Sequence, residues 1–346
     1  MHTPAARPPT IIDVARRAGV SKSLVSRVLR GSPRVSPSRS EAVLAAMAEL
    51  GYRPNAVARS LVQRRSFTVG VVVSDLHNLF FAEILDGIGS VAGQCGYQPL
   101  IATGQREPDS EAAALEMLLQ LRTDGLILAG AVLSAEFVQS ASRTAPVALV
   151  SSASRVSGVD TVGTDDVRGA GLAVEHLVGL GHRRIGLIDG GRGAGAAERR
   201  RGYELAMRRL GLGAEVRVAA GDFTEEGGYR GARHLLERGR RPTAICAGND
   251  LAAVGALNAL EEAGLQVPGD VSLVGYDNTA LAALRHVSLT TVHQPRREIG
   301  EQAMTLLLRR IERPTARARR LLLEPTLVVR ATTAPPPPAG REVERH

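Results

Sequence analysis

TIIDVARRAGVSKSLVSRVL, Thr10 to Leu29, contains two helix beginnings in quick succession. Thr10 followed by Asp13 makes an N-terminal capping pattern, and Ile11, Val14, Ala15 and Ala18 recur behind it at helical spacing. Gly19 supplies a tight turn. Ser21 is then a good N-cap for a second helix, with Val25, Val28 and Leu29 facing inward. The other face of that helix shows Lys22, Ser23, Ser26 and Arg27. Two short helices joined by a glycine turn, the second polar and basic outside, fit helix-turn-helix geometry. A third helix is expected after Ser36, with Pro37 at its first position, ending near Gly51.

Working outward, YRPNAVARSL (Tyr52 to Leu61) has a proline able to open a further short helix at Pro54, with Val57 and Leu61 at apolar spacing. About two turns of helix are marginal alone in water, so this stretch reads as one that orders on contact with DNA or a partner chain. The charge distribution agrees. The formal net charge is +8, but residues 1–66 hold 12 Lys/Arg against 3 Asp/Glu, so the remaining 280 residues sum to −1. A small basic head on a near-neutral body points to nucleic-acid binding by the head.

The composition, 44% hydrophobic and 23% charged, is that of an ordinary globular protein. Cys95 and Cys246 lie in apolar segments without metal-like spacing and are expected to be reduced core thiols. The first residues, MHTPAARPPT, lack the apolar stretch of a secretory signal, and no apolar run is long enough to span a membrane. The expectation is a cytoplasmic protein without a membrane partner.

From Phe67 the chain alternates short apolar strands with helix-length segments. TVGVVVSD, QPLIATG, DGLILAG and PVALVSS form one series; RRIGLIDG, VRVAAGD, TAICAGND and VSLVGYD form a second. Two consecutive α/β series imply two doubly wound parallel sheets, with a ligand cleft where the strand carboxyl ends converge.

TIIDVARRAGVSKSLVSRVL and VSPSRSEAVLAAMAELGYRPNAVARSL, with the strand series above, resemble the lac repressor/galactose repressor family of bacterial transcription regulators, over about Thr10 to Arg330. The resemblance implies an all-α helix-turn-helix headpiece followed by an α/β two-lobed, periplasmic-binding-protein-like core. It divides the chain into an N-terminal extension (1–9), a DNA-binding domain (10–52), a hinge helix and linker (53–66), an effector-binding and dimerisation domain (67–331) and a tail (332–346). The extension and tail, the latter containing APPPPAGREVERH, are expected to be disordered. Chain crossovers near Thr164, Gln294 and Leu323 would give an N-lobe of about 67–163 and 295–322 and a C-lobe of about 164–294 and 323–331.

By the same resemblance the partners are a double-stranded DNA operator, a small-molecule effector of carbohydrate type and a second copy of the chain. Lys22, Ser23 and Arg27 would read bases, and Ser21 and Ser26 would mostly touch phosphates. Asn55 and Ala58 would lie along the minor groove, with Leu61 as a wedge between base pairs. Leu24 and Arg30 stand where family members often have Thr and Asn, which bears on the operator sequence. Effector contacts are expected from Phe80 or Phe81, Arg199, Phe223, Asn249, Asp277 and Gln294, the last also bordering a crossover. Glycines at 193 and 195 stand where relatives often place polar ligand contacts. Without a heptad-like extension after Arg330, a dimer is favoured over a tetramer.

Other chemistries find less support. Gly191-Arg192-Gly193-Ala194-Gly195-Ala196 fits a dinucleotide fingerprint, but the acid that should follow about twenty residues on is out of place; Asp222 is further. His176 and His182 lack metal-ligand spacing and are expected at a surface or a cap. Asp165 and Asp166 begin a helix, where acids suit the dipole. The sequence therefore calls for no cofactor, no metal and no catalytic residues. A solute-binding protein, or an α/β enzyme fused to a DNA-binding head, is the alternative.

Overall fold

The computed structural model describes residues 7, 9–29, 34–52, 65–152 and 156–338. The chain forms two units, residues 1–66 and 67–346. In the first, α1 (Ile11–Arg17) begins with a full capping box: the Thr10 backbone N–H donates to Asp13 Oδ2 at 2.9 Å, and the Asp13 N–H donates to Thr10 Oγ1 at 3.4 Å. α2 (Lys22–Leu29) is capped by Ser21, whose Oγ accepts from the Leu24 N–H at 3.2 Å. α3 (Pro37–Leu50) ends at Gly51 in the left-handed conformation, φ 62°, which glycine adopts without a Cβ penalty. The three helices close over Val14, Val25 and Val43, all fully buried, with Ala15 and Ala46. So small a core leaves little stability to lose. Asn55, Ala58, Leu61 and Arg30 lie outside the described residues.

The second unit holds two sheets. The first runs β11-β5-β4-β3-β1-β2, from β1 (Thr68–Val73), β2 (Gln98–Thr103), β3 (Gly125–Ala129), β4 (Val147–Val150), β5 (Asp160–Thr164) and β11 (Arg320–Leu323), all parallel. The second runs β12-β10-β9-β8-β6-β7, from β6 (Ile185–Ile188), β7 (Arg217–Ala219), β8 (Ala244–Ala247), β9 (Ser272–Asp277), β10 (Thr290–His293) and β12 (Thr326–Val328), with β12 alone antiparallel. The chain thus leaves the first sheet after Thr164 and returns to that side with a helix at Arg296. It crosses a last time between Leu323 and Thr326. Continuous apolar strands such as TVGVVV are covered on both faces, as parallel sheets require.

Helices α4 (Phe80–Gln94), α5 (Pro108–Gln120), α6 (Ala135–Thr144) and α11 (Arg296–Glu312) cover the first sheet. α7 (Asp166–Gly179), α8 (Ala196–Arg209), α9 (Glu225–Glu237) and α10 (Asp250–Glu262) cover the second. α4 and α11 touch backbone to backbone at Gly87 and Gly300, where any Cβ would run into the opposite helix's carbonyls.

Several expectations need correcting. The segment from Thr332 to Ala334 is bonded to the amino ends of β9 and β10 in the second sheet, not disordered. Its backbone accepts from Leu273 N–H at 2.8 Å, the Thr332 hydroxyl accepts from Thr290 N–H at 2.9 Å, and Ala334 N–H donates to Ser272 Oγ at 3.0 Å. A proline-rich composition hides such side-chain pairing. His182, expected near a surface, is buried and secures this segment: Nε2 lies 2.8 Å from Ala334 O and Nδ1 lies 2.9 Å from Thr243 Oγ1. In the N-terminal extension Arg7 is placed, 3.2 Å from Asp13. Cys95 is exposed at the end of α4, whereas Cys246 is buried.

Candidate effector cleft and DNA-reading helix

In both sheets the carboxyl ends of the strands face one cleft, which encloses a cavity of about 260 Å³. Phe80 and Phe81 reach it from the start of α4, Phe223 from the turn after β7, Asn249 from the end of β8 and Asp277 from the end of β9. Arg199 enters from the first turn of α8.

Arg199 is the centre of the site. Its Nε donates to Asp166 Oδ1 at 2.9 Å, and its Nη1 donates to the Gly248 carbonyl at 2.7 Å and lies 3.5 Å from Asp277 Oδ1. The guanidinium stacks 3.9 Å over the Tyr276 ring, with the Phe223 ring 5.1 Å away. A permanently charged, planar cation is thus fixed among two buried carboxylates and two rings. Burial raises the Asp166 carboxyl and Arg199 works against that rise. Asp166 is therefore more than a helix-dipole residue; its neighbour Asp165 is the N-cap of α7, accepting from Arg168 N–H at 3.0 Å.

Asp277 sits at φ 108° and Asn278 at φ 55°, a strained pair at the cleft edge. Gln294 does not line the cavity. It is buried behind it and donates from Nε2 to Asp277 Oδ1 at 2.6 Å. Asn249 has both amide ends in use: Oδ1 accepts from Ala252 N–H at 2.8 Å, capping α10, and Nδ2 donates to Phe223 O at 3.1 Å. Its place is to hold the Phe223 turn, itself at φ 64°.

Burial pushes the Asp277 carboxyl up to about 7, with Arg199 pulling the other way and the nearby Asp250 adding to the rise. The folded state therefore binds this proton more tightly than the unfolded chain does. The contribution to stability is complete below the ordinary value of 3.8 and is lost as pH rises through about 7. Denaturation of wild type and Asp277→Asn across that window is expected to show wild type losing stability relative to the variant as pH rises. A constant difference would contradict the shifted carboxyl.

Gly190 and Gly193 have a packing reason. A Cβ at either would occupy the Phe223 ring, so these glycines form the floor on which Phe223 lies. The ring thus packs directly on Gly193, the second glycine of the G-x-G-x-x-A run.

Sequence reading missed Ser74, Arg106 and Ser151, which also line the cavity. Among the described residues the Ser151 hydroxyl is buried without a partner at the cleft wall. Arg106 spans the cleft, its Nη1 donating to Asp222 O at 3.0 Å. Behind the wall the buried Glu111 accepts from Val132 N–H at 2.8 Å and fixes the turn after β3. These residues carry no local motif; only the tertiary fold brings them together.

In the head, Ser21, Lys22, Ser23 and Arg27 are exposed on α2 and Ser26 is half-buried, while Val25 is fully buried. One helix thus presents a polar, basic face and packs by the other.

Residues 10–55 match the model of bacterial regulatory proteins, lacI family, and residues 174–333 match a periplasmic binding protein-like domain. The ribose operon repressor of Escherichia coli strain K12 is 38% identical over 331 residues, covering 93% of this chain and 99% of that protein. The chain belongs to the lacI family. Catabolite control protein A of Priestia megaterium is 36% identical over 310 residues, 88% of this chain and 93% of that one. Among solved structures, the lac repressor dimer bound to operator and the anti-inducer ONPF superposes with a TM-score of 0.84 at 32% identity, covering 95% of this chain and 100% of that one. The ribose operon repressor and the lac repressor are named as repressors, and this chain is a transcription regulator with a DNA-binding head and an effector-type core. Among the described residues no helix is long and apolar enough to cross a membrane.

Proposed function

We propose that the protein is a repressor that binds a near-palindromic operator as a homodimer, and that a small polar molecule of sugar type in the cleft changes its operator affinity. The observation that carries this reading is the Arg199–Asp166–Asp277 cluster beside Phe80, Phe81 and Phe223, between two lobes of a chain with a helix-turn-helix head. Rings suit the apolar face of a sugar, and a fixed guanidinium and carboxylate suit its hydroxyls. The kinship with a ribose operon repressor supports that ligand class.

The cleft is a place to bind, not to catalyse: its charged groups hold one another and no cofactor or metal is called for. The protein acts in the cytoplasm, where its DNA lies. Lys22, Ser23 and Arg27 would face bases, Ser21 and Ser26 phosphates, and Asn55, Ala58 and Leu61 the minor groove. Two contacts join the lobes: Arg106 to Asp222 O at the cleft, and Arg296, which donates to Glu83 at 2.6 Å on one side and to Asn278 O at 2.9 Å on the other. A ligand drawn to Asp277 acts next to the second of these. It shifts operator affinity only by its differential affinity for the two lobe arrangements.

Selection of bound genomic fragments is expected to enrich an inverted repeat; enrichment of none would overturn the reading. With that operator, Leu61→Ala is expected to weaken specific binding far more than binding to random DNA. Equal losses would remove the wedge role.

A further inference from the structure

The strand amino ends of the second sheet form the pole of the core farthest from the cleft. Six arginines gather there. Arg183 and Arg184 precede β6, Arg217 opens β7, and Arg238, Arg240 and Arg241 precede β8; these three strands are neighbours in the sheet. None of the six makes an ion pair among the described residues; Glu215 and Asp270, close by in sequence, pair with none of them. Where they bond, they bond carbonyls. Arg184 Nε donates to Arg241 O at 3.0 Å, Arg183 Nη1 donates to His182 O at 3.0 Å, and Arg217 Nη1 donates to the carbonyls of both Arg238 and Arg240.

The flanking helices of the same lobe do the opposite. Arg200 and Arg208 share Glu204, Arg230 pairs with Glu226, Arg233 pairs with Glu237, and Arg168 pairs with Glu175. Positive charge is thus neutralised along the sides and left bare at the pole, in a body whose charges sum to −1. Crowding six like charges costs stability, and among the described residues no carboxylate pairs with any of them to offset it. Arg217 and Arg184 also brace the 238–241 turn by its carbonyls, leaving the exposed Arg238 and Arg240 side chains available.

We propose that this pole is a second polyanion site, one that takes the phosphate backbone of a duplex other than the one held by the head. Guanidinium forks match phosphate oxygens, and a row of them with no aromatic platform suits backbone contact without sequence reading. The head is a separate unit of the chain, so a protein holding one duplex by its head and another by this pole would bridge two duplex segments. The bridging rests on the reading that the head binds DNA.

The test uses the full chain and a random-sequence duplex fixed to beads. Retention of protein on the beads reports the head. Capture of a second, fluorescent duplex by the retained protein reports the pole. Wild type is expected to capture the second duplex at low salt. The double variant Arg238→Ser/Arg240→Ser is expected to be retained equally, melt at the same temperature and capture about tenfold less. Its log–log salt slope for capture should be shallower by about 1.8, for two lost phosphate contacts. Capture unchanged in the variant, or no capture by retained wild type, would overturn the proposal. So would variant-sensitive capture of fluorescent polyglutamate with none of duplex, which would make the pole a site for an acidic protein. Failure of retention itself would instead count against the head.

Discussion

Arg199→Ala is expected to lower the stability of the core by about 3–5 kcal/mol, the usual cost of removing one partner from a buried charge cluster. The substitution leaves Asp166 and Asp277 buried without their cation and frees the Gly248 carbonyl. It also removes the plate between the Tyr276 and Phe223 rings. Both consequences reach the cleft, so ligand binding by calorimetry should vanish even at temperatures where the variant is fully folded. Urea denaturation measures the first effect. A loss below about 1 kcal/mol, the range of an exposed pair, would show that the cluster is solvated and not the centre of the site.

The second large effect belongs to the head. Lys22→Ala/Arg27→Ala should weaken operator binding by about 2–6 kcal/mol, since each good base contact is worth about 1–3 kcal/mol. Both side chains are exposed, and the packing of α2 rests on Val25 from its other face. Thermal melting of the head should therefore be unchanged. Binding to random DNA should fall less, which a titration against both duplexes resolves. Equal losses on the two would make Lys22 and Arg27 phosphate anchors, and the operator would be read by other residues.

What the sequence showed and what it hid follow from the range of the interactions. The capping box of Thr10 and Asp13, the Ser21 cap and the Gly51 turn are local, and each stands where residues three or four apart dictate it. Most strands were equally readable, because buried parallel strands are short apolar runs; β5, Asp160–Thr164 (DTVGT), was missed because it is not an apolar run. The cleft aromatics and Arg199 could be placed only by resemblance. Arg106, Ser151 and Glu111 escaped notice because nothing within ten residues of them signals a site. The tail was misread for the same reason: Thr332 and Ala334 find their partners, Thr290 and Ser272, some 42 and 62 residues away. The glycines of the 190–195 loop looked like lost ligand contacts, yet Gly190 and Gly193 are the floor of Phe223.

The central claim is that occupancy of the cleft changes the grip of the head on DNA. The most direct measurement is the operator dissociation constant across a titration of candidate monosaccharides, with ligand binding followed in parallel by calorimetry. A ligand that fills the cleft is predicted to shift operator affinity by about 5–150-fold, with operator shifting ligand affinity by the same factor. A ligand that binds wild type, fails to bind Arg199→Ala and leaves operator affinity unchanged would contradict the account.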